Sequence, residues 1–141
     1  MEILFVASEV APWSKTGGLG DVAAALPRAL AARGHAVVVV SPRYFTVDVR
    51  QPGFEPLHRA VSVRGEQTTL WARKWAGVSL YFVENDRYFG SRRGLYGDAH
   101  GDYGDNAERF AYLARAALAL PAALGHTRPA KRRVSWRFAK A

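Results

Sequence analysis

Two short apolar runs, Ile3 to Ala7 and Ala36 to Val40, most limit what this chain can fold into. Neither alternates apolar with polar residues, and the second holds four consecutive valines, so each reads as a strand buried on both faces. Between them Leu19, Val22, Ala23, Leu26 and Leu30 recur at helical spacing, Asp21 lies in the first turn, and Gly34 stands where a helix stops. Strand, helix and strand in that order make a parallel crossover unit, which places the chain in the α/β class. Pro27 sits inside the helix and removes one hydrogen bond, so a bend is expected there.

Length and charge narrow the class further. At 141 residues the chain is one domain or part of a larger one. The 49% apolar and 23% charged composition is that of a globular core, not of a disordered or fibrous chain. The absence of cysteine excludes disulfide scaffolds, thiol nucleophiles and thiolate metal sites, and suits a reducing compartment. Met1-Glu2 lacks the basic start of a signal peptide and no apolar run is long enough to span a bilayer, so a cytoplasmic location is expected. Six basic residues (Arg128, Lys131, Arg132, Arg133, Arg137, Lys140) and no acid fall in 126–141, so of the net +8 only +2 remains on the first 125 residues. Such a run is either a solvated tail or a footprint for nucleic acid or anionic lipid.

From residue 59 the pattern changes to strand signals: Val61 and Val63, then Thr68 to Trp75, then Val78 to Val83, with Ala76-Gly77 as a tight turn. These predict an antiparallel excursion on the parallel sheet. Asn85 to Gly104 carries five glycines and reads as a long loop, a kind of segment that often carries function. Asp105 and Glu108 have capping-box spacing, and Phe110, Leu113, Ala114, Ala117 and Leu118 form an apolar helical face that ends near Pro121.

The segment Ser8 to Asp21 is the one with chemistry in it. It sets Lys15, Gly17, Gly18 and Gly20 at the start of the first helix. A helix start has unpaired N–H groups and the positive end of the macrodipole, and glycines let a phosphate approach the backbone, so an anion is stabilised there. The bland reading is that the glycines only shape a sharp turn. A P-loop is excluded because its lysine follows the last glycine, whereas Lys15 precedes all of them. Gly18, Gly20 and Ala23 match the loose dinucleotide fingerprint, but too far after the strand, and Ser41-Pro42-Arg43 stands where the ribose-binding acid should be. Arg43 facing a 2′-phosphate keeps an NADP-binding domain as a lesser alternative.

Ser8-Glu9, the block Lys15-Thr16-Gly17-Gly18-Leu19-Gly20-Asp21-Val22, Ala25-Leu26-Pro27 and the later Gly104-Asp105-Asn106 with Arg109-Phe110 together resemble the bacterial glycogen synthases and plant starch synthases. These are retaining, ADP-glucose-dependent enzymes of glycosyltransferase family 5. The resemblance spans residues 1–125 and supports Pro27 within the first helix. It implies a GT-B architecture, two Rossmann-like domains facing across a cleft, of which 1–125 would be an incomplete N-terminal catalytic domain. By the same resemblance Lys15 and the amides of Gly17, Gly18 and Gly20 lie by the donor phosphates, and Glu9 and Asp21 near the sugar or acceptor side. The resemblance further implies ADP-glucose as the donor substrate and an α-1,4-glucan as the acceptor in the intact family member, and no cofactor or metal is expected. Trp13, Tyr96 and Tyr103 are the candidate sugar-stacking rings.

Residues 126–141 depart from the family, which continues there into a histidine-and-aspartate catalytic block. They read as a disordered or frameshifted tail. No catalytic residue set is complete, so the 141 residues alone are expected to be inactive. A catalytically dead remnant or a basic-tailed binding module is the alternative from another class. Asp98, Asp102 and Asp105 with His100 lack the spacing of a calcium loop. Asp105 and Glu108 read most simply as helix caps, with Arg109 pairing locally.

Overall fold

A computed structural model describes residues 1–125; the basic segment 126–141, with the expectations attached to it, lies outside the described residues. The order of elements is β1 (Glu2–Val6), α1 (Gly18–Ala32), β2 (Ala36–Pro42), β3 (Glu55–Pro56), β4 (Val61–Val63), β5 (Glu66–Thr68), β6 (Leu70–Trp75), β7 (Val78–Val83), a π-type turn (Asp86–Gly90), β8 (Gly97–Asp98), β9 (Gly101–Asp102) and α2 (Asn106–Ala123). Five strands form the main sheet in the order β1-β2-β7-β6-β3. β1 runs parallel to β2 with Phe5 opposite Val39, and β2 runs parallel to β7 with Val39 opposite Leu80. β6 then pairs antiparallel with β7, and the short β3 pairs antiparallel with β6. The expected antiparallel excursion is thus met only in part: β6 joins the main sheet antiparallel to β7, β7 itself lies parallel to β2, and Val61–Val63 pairs outside this sheet.

The valine run behaves as an unbroken apolar run should. Val37 and Val39 point into one core with Ala23, Ala24, Val78, Leu80 and Phe82, while Val40 points into the other with Tyr44, Val83, Tyr112 and Leu113. α1 covers the first face and α2 the second. The Ala76-Gly77 turn has positive φ at both residues, 48° and 82°, the two-residue connection whose twist suits a hairpin. Arg64-Gly65 makes the same turn between β4 and β5, whose hairpin stands apart from the main sheet instead of extending it.

Both helical stripes are rotated from expectation. On α1 the buried residues are Gly20, Ala23, Ala24 and Pro27, whereas Val22 and Leu26 are 52% and 44% exposed. Small side chains let the helix close on the sheet, and that proximity outranks the hydrophobicity of the larger ones. α1 runs unbroken through Pro27. On α2 the inward stripe is Arg109, Tyr112, Leu113, Ala116, Ala117 and Leu120, Leu118 faces out, and the helix continues past Pro121 to Ala123.

The capping box does not form. Asp105 occupies the cap position without a side-chain cap bond, because Arg92 takes both carboxylate oxygens at 2.9 and 2.6 Å. A bidentate guanidinium outcompetes a backbone N–H for an ionised carboxylate. Glu108 instead accepts from the Tyr88 hydroxyl and pairs with Arg64 at 3.6 Å. The 85–104 segment is not an open loop: the π-type turn and the β8–β9 hairpin fold it onto α2.

Candidate functional site

The site grows out of the link between β1 and α1. Ala7 N–H still bonds the Val40 carbonyl, after which the chain makes a tight turn in which Ser14 N–H reaches the Val10 carbonyl at 2.9 Å and Val10 N–H reaches Ser14 Oγ at 3.1 Å. Ala11 N–H bonds the Gly20 carbonyl at 3.1 Å and ties this turn to the helix start. A Cβ on Gly20 would meet Lys15 Cβ and Cγ and the Ser14 carbonyl at 3.2 Å, so Gly20 serves close packing of the turn on the helix.

Beyond the turn lies a short open stretch. Gly17 caps α1 with extended backbone and no side-chain bond, and a side chain on Gly17 or Gly18 would meet nothing within 4 Å. The helix start is therefore exposed at Gly17 and Gly18 and not covered by neighbouring side chains, and the unpaired N–H groups of a first helical turn favour an anion in such a place. Lys15 Nζ sits 2.8 Å from the Asp21 carboxylate, with the two side chains 49% and 59% exposed. An exposed pair of this kind contributes about 0 to 1 kcal/mol, so a multiply charged anion can displace it.

Glu9 is placed differently from the rest. It is 3% exposed, and its carboxylate receives Thr16 N–H at 2.5 Å, Thr16 Oγ1 at 3.1 Å and the Tyr96 hydroxyl at 2.9 Å. Lys15, Gly17, Gly18, Gly20, Glu9 and Asp21 are thus gathered around one helix start, with Glu9 as the fastener beneath it. Burial pushes the Tyr96 phenol up to about 12, and the neighbouring Glu9 carboxylate acts in the same direction. Its hydroxyl also contacts Ser8 Oγ at 2.7 Å.

Of the three proposed sugar-stacking rings, Tyr96 alone joins this cluster. Trp13 is drawn into the core, edge-on to Trp75 at 5.0 Å and Phe82 at 5.5 Å. Tyr103 lies between the Arg92 and Arg109 guanidinium groups at 4.7 and 5.0 Å. Arg109, read from sequence as a local pair, is the largest side chain with no exposure at all. It donates to the Tyr88 and Leu95 carbonyls at 2.7 and 3.0 Å and to Asn106 Oδ1 at 2.6 Å, and burial lowers its pKa. Thr16 and Asn106 also escaped the sequence reading. The signal for Asn106 and Arg109 was present in the Gly104-Asp105-Asn106 block, but nothing in composition says that these polar groups point inward.

Other candidates fall away. Arg43 Nη1 pairs with Asp86 at 3.3 Å and Glu84 at 3.8 Å, so two carboxylates already face the charge that a 2′-phosphate would need. His100 pairs with Asp98 at 3.3 Å while Asp105 belongs to Arg92, and no group of three metal-ligating residues converges among the described residues. No described helix is long and apolar enough to cross a membrane. A groove of about 360 Å³ lined by Glu55, Arg73, Lys74 and Tyr81 shares no residue with the glycine turn.

A mostly parallel sheet sandwiched by helices, with an open glycine turn leading from the first strand, defines the N-terminal part of a GT-B glycosyltransferase catalytic domain. Residues 2–132 match the family model described as the starch synthase catalytic domain, and the chain belongs to that family. It is 75% identical over 125 residues to a glycogen synthase of Anaeromyxobacter sp. (strain Fw109-5), covering 89% of this chain and 26% of that protein. It is 43% identical to soluble starch synthase 1, chloroplastic/amyloplastic, of Solanum tuberosum, over 86% of this chain and 20% of that protein. The chain spans about a quarter of the length of the curated relatives it matches. Among solved structures, the catalytic domain of starch synthase IV from Arabidopsis thaliana bound to ADP and acarbose superposes with a TM-score of 0.68 at 32% identity, over 86% of this chain and 25% of that one.

Proposed function

We propose that residues 1–125 form the donor-phosphate wall of an enzyme that transfers glucose from ADP-glucose, with retention, to the non-reducing end of an α-1,4-glucan in the cytoplasm. The observation that carries this reading is the uncapped, unobstructed helix start at Gly17 beside a lysine held only by an exposed pair. As the bond from glucose to phosphate breaks, negative charge builds on the departing ADP. A lysine and fixed N–H donors stabilise that charge more than they stabilise the intact donor, which is the condition for accelerating the step. Lys15 gives up Asp21 to the diphosphate, and the amides of the first helical turn contribute donors that need no reorganisation. In this scheme Lys15 and the amides are assigned the charge stabilisation of the departing diphosphate, and no cofactor or metal is invoked. The identity of the relatives and the ADP bound in the Arabidopsis structure support this choice of anion.

The test is a chimera in which residues 1–125 replace the matching segment of the Anaeromyxobacter Fw109-5 glycogen synthase. Lys15→Ala in that chimera is expected to lower kcat/KM for ADP-glucose by about 30- to 1000-fold, the 2 to 4 kcal/mol lost with one oxyanion donor. Incorporation of labelled glucose into glycogen at an unchanged kcat/KM would remove Lys15 from the donor site.

A further inference from the structure

A continuous run of hydrogen bonds leads from the buried start of α2 to the exposed glycine turn. Arg109 donates to Asn106 Oδ1 at 2.6 Å, Asn106 Nδ2 donates to the Tyr96 carbonyl at 2.8 Å, and the Tyr96 hydroxyl donates to Glu9 Oε1 at 2.9 Å. Glu9 in turn holds the N–H and hydroxyl of Thr16, the residue between Lys15 and Gly17. Phe110 packs on the Tyr96 ring at 5.7 Å and limits where its hydroxyl can point.

We propose that Tyr96, with Asn106 and Arg109 behind it, is a positioning residue that sets the shape of the Lys15–Gly18 turn by holding the Glu9 carboxylate against Thr16. Glu9 is a buried carboxyl group that forms no salt bridge among the described residues and is held by three hydrogen bonds. Thr16 supplies two of those bonds and Tyr96 the third. If Tyr96 withdraws its hydroxyl, Glu9 must recruit water or turn away, and either move releases Thr16 and the backbone leading to Gly17. The anion then meets a turn that must be ordered before it can bind, and affinity falls although no contact residue has changed. Loop 85–104 thereby acts on the site without touching the anion. The choice of anion rests on the donor-phosphate reading, whereas the coupling of Tyr96 to Thr16 does not.

The experiment uses the 141-residue chain and inorganic pyrophosphate, followed by amide NMR. In the unmodified chain the Thr16 amide, although on an exposed residue, is expected to exchange slowly because Glu9 holds it. Tyr96→Phe should speed exchange at Thr16 and weaken pyrophosphate binding by about tenfold each, the loss of roughly one hydrogen bond, while α1 amides from Val22 onward keep their protection. A uniform loss of protection would mean that Tyr96 is merely structural, and would overturn the proposal. So would a Thr16 exchange rate within twofold of the unmodified chain. Should Tyr96→Phe fail to fold, Thr16→Val breaks the same clasp from its exposed end; unchanged pyrophosphate affinity there overturns the proposal equally. If the unmodified chain binds no pyrophosphate, the donor-phosphate reading fails by itself, and Thr16 exchange still decides the coupling.

Discussion

Two glycine-rich segments of this protein use the same residue for opposite ends. At Gly17 and Gly18 a side chain would meet empty space. At Gly90, Gly94 and Gly97 it would run into Asp86 Oδ1, the Gly97 carbonyl and the Gly101 carbonyl respectively. The first segment keeps a helix start open to an anion; the second lets loop 85–104 fold tightly enough to bring Tyr96 to Glu9 and Leu95 to Arg109. Glycine count alone does not distinguish a ligand site from a packing device. The distinction lies in what surrounds the missing side chain.

The most direct way to break this comparison is to add one methyl group to each segment. Gly94→Ala forces its Cβ against a backbone carbonyl that cannot swing aside, and is expected to cost about 3 kcal/mol or more of stability. Gly17→Ala has extended backbone that any residue adopts and open space for the methyl, and should cost under about 1 kcal/mol, the penalty of a poorer cap. Urea unfolding of the two variants measures the difference; equal losses would erase the distinction between the segments.

The parallel crossover unit could be read from sequence because its signals are local: unbroken valines for a strand buried on two faces, and a glycine block for the helix start. The hairpin at Ala76-Gly77 was legible for the same reason. What sequence hid depends on partners far along the chain. Val22 and Leu26 look like a core stripe until the sheet is seen to demand Ala23, Ala24 and Pro27 at closest approach. Asp105 and Glu108 look like caps until Arg92 and Tyr88 claim them. Arg109 looks like a surface charge, since an arginine is almost never fully buried unless its donors are satisfied. Here three acceptors satisfy them, two of them carbonyls of loop 85–104. At the glycine turn the contiguous block from Lys15 to Asp21 is visible as a local pattern, whereas the burial of Glu9 beneath Thr16 depends on Tyr96, a residue far along the chain.

A smaller effect sharpens the comparison through pH. The Arg92 guanidinium holds the Asp105 carboxyl below its ordinary value, chiefly by hydrogen bonding. A depressed folded-state pKa contributes stability that is fully present above the unfolded value, about 3.9, and is lost as pH falls through the folded value. Asp105→Asn should therefore cost about 1 kcal/mol at neutral pH, and the gap to the unmodified chain should close in acid below about pH 4. Thermal melts across that range test it. A gap that persists undiminished below pH 3 would show that the pair does not anchor loop 85–104 through its charge. The open segment has a pair of its own, Lys15 with Asp21, and it is the natural control.

That control yields the smallest stability change and the sharpest reading of the open segment. Lys15 and Asp21 are both about half exposed, so side-chain entropy and salt offset most of their attraction. Asp21 also lies in the first turn of α1, where a negative charge gains little more than a few tenths of a kcal/mol from the helix dipole. Asp21→Asn should consequently move stability by under about 1 kcal/mol in total. Its effect on anions runs the other way. Neutralising Asp21 frees Lys15 and removes a like charge from the helix start, so pyrophosphate should bind a few-fold more tightly, and the gain should shrink as salt is raised. Weaker binding would instead mean that Asp21 orients Lys15 toward the anion, making the pair part of the site's architecture, as Arg92 with Asp105 is part of the loop's. The two segments would then differ in their glycines but not in their charges.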